Sequence, residues 1–142
     1  MIRVANLESV SDGTTTAHGL RVVSVLVVDD DDEARDMLAS VLANEGYSIA
    51  TAADGLEALE LLESILTELI LLDVQMPRCD GAQFRQAQRR NRDWIRIPTV
   101  VMTGVEEEPV LDVGVELALR KPIRRHDVLA LAARYCTRRT AP

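Results

Sequence analysis

The stretch Leu69-Ile70-Leu71-Leu72-Asp73-Val74-Gln75-Met76-Pro77-Arg78-Cys79-Asp80-Gly81 decides how the rest of the chain is read. Four apolar residues in a row describe a strand buried on both faces, as in a parallel sheet covered by helices. The run ends on a carboxylate, and Pro77, Asp80 and Gly81 then close a turn. An Asp at the C-terminal end of a buried parallel strand stands where open α/β sheets keep their ligands. Asp73 is therefore a candidate reactive group. The plainer alternative is an Asp that only accepts turn hydrogen bonds.

The same alternation extends to both sides. Val22–Val28 is a first aliphatic strand running into Asp29-Asp30-Asp31-Asp32-Glu33. A helix follows with Ala34, Leu38, Val41 and Leu42 on one stripe and stops at Gly46. Asp31 or Asp32 suits its N-cap, and the acids complement the helix dipole. Tyr47–Ala53 is a second strand, and Asp54-Gly55 opens a helix carrying Leu56, Leu59, Leu62 and Leu66. After the Asp73 strand come a polar helix from Ala82 to Asn91 and a fourth strand, Ile97–Thr103, with Pro98 at its start. Glu106–Gly114 has room for only a short helix begun near Pro109. Leu117–Lys121 is a fifth strand, and a last helix aligns Val128, Leu131, Ala132 and Tyr135. Five strands alternating with helices predict a doubly wound parallel α/β sheet with right-handed crossovers. Residues 1–20 read as a flexible leader, 21–138 as the domain and 139–142 as a tail.

The chain has 142 residues, enough for one domain with a real core. With four aromatics (Tyr47, Phe84, Trp94, Tyr135) it lacks stacking platforms for single-stranded nucleic acid. A net charge of −7 opposes nonspecific DNA binding and favours a cation or basic partners. The basic run Arg85, Arg89, Arg90, Arg92 reads as one solvated helix face. Cys79 and Cys136 make neither a metal spacing nor a disulfide framework, so a reducing cytoplasm is expected. There is no apolar signal region and no bilayer-length apolar segment, so no membrane association is expected.

The predicted strand ends concentrate the chemistry. Asp29-Asp30 closes the first strand, Asp73 the third, Thr103 the fourth and Lys121-Pro122 the fifth. In a parallel sheet all of them share one edge. Each has a separate structural explanation, but together these require four coincidences. Carboxylates within reach of one another need a counter-charge. A hard divalent cation supplies it, and Mg²⁺ takes a few carboxylates plus waters and phosphate oxygens. Asp73 then stays ionised and can act as a nucleophile, with Lys121 stabilising a transferring phosphoryl group. Thr103 offers a hydroxyl proton to a phosphate oxygen.

These residues resemble a known family, the receiver domain of two-component response regulators (the CheY-like superfamily). The resemblance rests on Val25-Leu26-Val27-Val28-Asp29-Asp30, Leu71-Leu72-Asp73-Val74-Gln75-Met76-Pro77 with Asp80-Gly81, Val101-Met102-Thr103-Gly104 and Arg120-Lys121-Pro122, and it covers about residues 22 to 138. It implies a flavodoxin-like sheet in the order 2-1-3-4-5, with Asp73 as phosphoacceptor. Asp30, Asp73 and the Gln75 backbone carbonyl would ligate Mg²⁺ (or Mn²⁺), and Asp29 would act through a bound water. Thr103 and Lys121 would contact the phosphoryl oxygens, and the Lys121–Pro122 peptide would be cis. The implied donor is a histidine kinase or a histidine phosphotransfer protein, and many receivers also accept acetyl phosphate.

Two departures bear on output. Ala118 stands where the family usually has a switching aromatic, and Ile123 replaces the aromatic that commonly follows the Lys-Pro pair. Thr103 and Lys121 are separated by 18 positions, about one helical turn fewer than usual, which implies a shortened fourth helix. Output is then expected through an order–disorder change in Gly104–Glu108 and the helix after it. Gln75 and Val105 are the positions expected to tune phosphoryl lifetime.

The expected function is a stand-alone, cytoplasmic receiver without a DNA-binding unit, monomeric or weakly dimeric. It would be a phosphorylation-controlled switch that docks on an unknown downstream protein, or a relay. It would not be an enzyme beyond taking up and slowly losing its own phosphoryl group. The alternatives are a degenerate receiver that binds partners without phosphorylation and a Mg²⁺-dependent Asp-nucleophile phosphatase. A phosphatase of that type normally has a second Asp where Gln75 stands. A flavodoxin-like cofactor binder is disfavoured, since Asp29–Asp32 would repel a phosphate.

Overall fold

The computed structural model describes residues 14–15, 19–74, 80–104 and 115–137. Its strands are β1 (Arg21–Val28), β2 (Ile49–Ala52), β3 (Ile65–Asp73), β4 (Thr99–Thr103) and β5 (Val115–Arg120). Its helices are α1 (Asp32–Asn44), α2 (Gly55–Leu62), α3 (Gly81–Arg89) and α4 (Arg125–Tyr135). The five strands are parallel in the order 2-1-3-4-5. The segment expected to form the shortened fourth helix lies outside the described residues.

Strand alternation divides the core into two layers. Leu26, Val28, Ile70, Leu72 and Val101 face Ala58, Leu61 and Leu62 of α2 and Phe84 of α3. Val25, Val27, Leu69, Leu71, Val100 and Met102 face Leu38 and Leu42 of α1 and Val128, Leu131 and Ala132 of α4. Strands covered on both faces have no polar side, which is why their sequences are continuous apolar runs. Each wholly buried aliphatic side chain contributes about 2 kcal/mol by leaving water.

The starts of α1, α2 and α3 are fixed by Asp side chains. Asp31 caps α1 by accepting from the Glu33 and Ala34 N–H groups, and Asp54 caps α2 through Glu57 N–H. Asp80 and Gln83 cap α3 reciprocally. Gly46 ends the α1 turn at φ 92°, where a side chain would be strained.

Three details differ from the sequence reading. Leu66 lies in β3, not α2, and is 43% exposed. The helix ends at Leu62 because Ser64 donates its N–H to the Leu61 carbonyl and its own carbonyl accepts from Arg21 N–H. The buried face of α2 is accordingly Ala58, Leu61 and Leu62, while Leu56 points out. Arg85 is not part of a solvated basic face: it is only 4% exposed and donates to the buried Gln88 side chain. Gln88 in turn donates to the Trp94 carbonyl and the Thr99 hydroxyl, which ties α3 to the start of β4. Third, Thr14–Thr15, inside the stretch read as leader, pairs antiparallel with Arg21–Val22. It extends the β1 edge below β2, which reaches only Val25–Val28.

Candidate phosphoryl-transfer site

The register decides which residues meet. Val28 is opposite Leu72, so Asp29 and Asp73 leave adjacent strands at one level. Asp73 is paired with Met102 and Thr103 with Arg120, which carries the edge across to Lys121. Asp29, Asp30, Asp73, Thr103 and Lys121 all stand on the C-terminal rim of the sheet. Carboxylate oxygens of Asp29, Asp30 and Asp73 lie within 4.8 Å of one another. Asp29 and Asp73 are 1% and 3% exposed, while Asp30 is at the solvent mouth.

Lys121 places its Nζ 3.2 Å from Asp73 Oδ2 and 3.7 Å from Asp29 Oδ2. Burial pulls its pKa down, but the charges of Asp29 and Asp73, the hydrogen bond to Asp73 and the charge of Asp30 outweigh it and raise it above the usual 10.5. Three carboxylates against one ammonium leave two surplus negative charges. The Lys121–Pro122 peptide is cis, and Lys121 N–H donates to the Thr103 carbonyl at 2.8 Å.

Two buried oxygens here, Asp29 Oδ2 and Thr103 Oγ1, have no hydrogen-bond partner. Buried polar atoms are rarely left so, and such an orphan marks a place for a water, ion or ligand. Oxygen donors, a surplus of two negative charges and an open mouth at Asp30 fit a hard divalent cation that keeps some waters. The residues present therefore fit Mg²⁺ or Mn²⁺. Gln75, expected to add a backbone carbonyl, lies outside the described residues, as does Val105. Val74 and Gly81 lie in close contact: Gly81 N–H donates to the Val74 carbonyl, and a Cβ on Gly81 would lie 2.5 Å from Val74 Cα.

Some contacts were not foreseen. Arg35 donates from Nη1 to the Asp29 carbonyl at 2.8 Å and pairs through Nη2 with Asp32. The signal available in the sequence was an Asp–Arg spacing of three on a helix. Arg120 donates to the Gly104 carbonyl at 2.9 Å. Ala118 lies opposite Val101, on the Thr103 side of the sheet, and brings no ring to that position of β5. A cleft of about 430 Å³ opens beside the acids, walled by Ala34, Met37 and Leu38 of α1 and by Pro122 and Ile123. Among the described residues no helix is long and apolar enough to cross a membrane.

Known proteins agree with this geometry. The response regulator receiver domain family matches residues 25–133. Response regulator MprA of Mycobacterium sp. (strain KMS) is 38% identical over 124 residues, covering 84% of this chain and 53% of that protein. MprA of Mycolicibacterium vanbaalenii is 39% identical, with 84% and 52% covered. The chain thus spans about half the length of these curated relatives. The structure of the Vibrio cholerae chemotaxis protein CheY4 superposes with a TM-score of 0.72 at 31% identity, covering 80% of this chain and 98% of that one. With its sheet order, its acid–Lys rim and these similarities, the chain belongs to the response regulator receiver domain family of two-component systems.

Proposed function

We propose that the chain is a phosphorylation-controlled switch whose phosphoacceptor is Asp73. The observation that carries this is the convergence of three carboxylates within 4.8 Å beside the Lys121 ammonium. The unpartnered Thr103 hydroxyl completes it. Asp30, Asp73 and the Gln75 carbonyl would hold Mg²⁺ or Mn²⁺, with Asp29 acting through a water. When bound, the cation offsets charge on the phosphoryl oxygens.

An Asp73 carboxylate oxygen attacks the phosphorus of a phosphohistidine on a kinase or phosphotransfer protein. The new P–O bond forms as the P–N bond breaks, and the imidazole leaves with the electron pair and takes a proton. Lys121 moves its ammonium from the carboxylate pair to the incoming phosphoryl oxygens, a stabilisation that grows as charge develops there. Thr103 donates its free hydroxyl to one of those oxygens, so its position reports whether the group is present. Ala118 has no ring to follow that movement, which leaves Gly104–Glu108 and the segment beyond as the route to a docked protein. The negative net charge supports a protein target over direct DNA contact. The same reading takes the receiver as cytoplasmic and as a monomer or weak dimer.

The test is intact-mass analysis after incubation with acetyl phosphate and Mg²⁺. Wild type gains one phosphoryl group, and Asp73→Asn or chelation of the metal prevents it. No gain in the wild type would replace this reading with that of a degenerate receiver, for which Ala118 is the supporting observation.

A further inference from the structure

We infer that Arg35 is a positioning residue for the metal-binding acids, an inference that rests on the reading just proposed. Asp29 to Glu33 is a run of five consecutive acids, and its backbone must hold a fixed course for Asp29 and Asp30 to face Asp73. Three bonds fix Asp29. Its N–H donates to the Ala52 carbonyl of β2 at 3.1 Å, and its Oδ1 accepts from Asp31 N–H at 2.9 Å. Its carbonyl accepts from Arg35 Nη1 at 2.8 Å. That last bond sets the plane of the Asp29–Asp30 peptide, and so the direction in which the Asp30 carboxylate leaves the chain.

Arg35 reaches this carbonyl because long helical side chains lean towards the helix N-terminus. It follows the Asp31 cap by four residues, and its own N–H donates to the Asp31 carbonyl at 2.9 Å. The guanidinium is a planar fork, so one nitrogen holds the carbonyl while another pairs with Asp32. A lysine would keep the charge but not the two-armed geometry. This separates positioning from electrostatics. As a mere positive charge beside a cation site, Arg35 would weaken metal binding, and its removal would tighten it. As a positioning residue it strengthens binding, and a charge-conserving change weakens it.

The test uses the full chain, stripped of metal, with Mg²⁺ titrated calorimetrically into wild type, Arg35→Lys, Arg35→Met and Asp32→Asn. Arg35→Lys is expected to bind Mg²⁺ about tenfold more weakly, the lower end of what outer-shell partners contribute. Asp32→Asn, which keeps the carbonyl bond, shifts affinity less than Arg35→Lys. Phosphorylation by acetyl phosphate in Arg35→Lys should need more Mg²⁺ for half-maximal rate yet reach the wild-type rate at saturation. A lost fold element would lower both. Wild-type affinity in Arg35→Lys, or tighter binding in Arg35→Met, overturns the inference while leaving the Asp73 reading intact. Failure of the wild type itself to bind Mg²⁺ removes both. If Arg35→Lys does not fold, Arg35→Gln takes its place with the same expected and overturning results.

Discussion

Two polar, buried clusters on the sheet, one near its N-terminal edge and one at its C-terminal rim, are finished differently. At the N-terminal end Ser24 and Ser48 are wholly buried, and each gives its N–H to the other's hydroxyl, at 2.9 and 3.1 Å. Thr67 donates to the Leu69 carbonyl at 3.0 Å, and Cys136 to the Ser24 carbonyl at 3.4 Å. At the C-terminal end Asp29 Oδ2 and Thr103 Oγ1 are buried without a hydrogen bond, and acids outnumber the ammonium beside them. A closed network rigidifies a fold, whereas an open one holds free energy that a ligand releases. The difference fits one end to architecture and the other to the site proposed for phosphoryl transfer.

The largest expected effect tests whether the working end is loose throughout. Gly81→Ala drives a Cβ against the Val74 backbone at 2.5 Å, where no flexible side chain can yield. Overpacking of this kind should cost about 3 kcal/mol in urea denaturation. A change near zero would show that the Val74–Gly81 contact adapts freely. At the opposite end, Ser24→Ala removes the hydroxyl that accepts Ser48 N–H. Orphaning that buried donor should cost about 2 kcal/mol. A neutral result would mean that water replaces the hydroxyl and that this end is not closed.

Next comes the metal. Mg²⁺ at ten times its dissociation constant should raise wild-type stability by about 1.4 kcal/mol through mass action. The same addition should leave Asp73→Asn almost unchanged. Smaller still, Asp29→Asn should stabilise the metal-free protein by about 1 kcal/mol, since one of three clustered like charges, itself buried, becomes a neutral amide. The amide oxygen can still accept Asp31 N–H, as Oδ1 does now. Destabilisation in chelator would mean that Lys121 already compensates both buried acids, and the contrast between the ends would weaken.

The working end was the more legible of the two in the sequence. Val28-Asp29 and Leu72-Asp73 announce buried strands ending in acids, and parallel topology then forces Thr103 and Lys121 onto the same rim. Each of those statements needs only local pattern plus one rule of sheet geometry. The Ser24–Ser48 pair carries no such signal, because two serines 24 positions apart look like any others until the β1–β2 register joins them. Arg85 looked solvated for the same reason: its partner Gln88 is buried through contacts with Thr99 and Trp94 in the next element. Leu66 was misplaced because a strand buried on alternate faces and a short amphipathic helix both tolerate a leucine there.

The smallest effect concerns Lys121 itself, whose ammonium faces both buried acids. Its pKa in the fold lies above 10.5 because Asp29 and Asp73, with Asp30 behind them, outweigh the burial that lowers it. A raised lysine stabilises the fold fully below its unfolded value and loses that contribution as pH climbs through the folded value. The stability advantage of wild type over Lys121→Met should therefore be flat through neutral pH and shrink above pH 10.5. The side chain is 36% exposed, so solvent screens the pairs and keeps the effect small. Saturating Mg²⁺ should shrink it further, because a cation among the same carboxylates leaves less negative charge for the ammonium to answer. An advantage that persisted unchanged to high pH would mean that Lys121 contributes through packing of its methylenes.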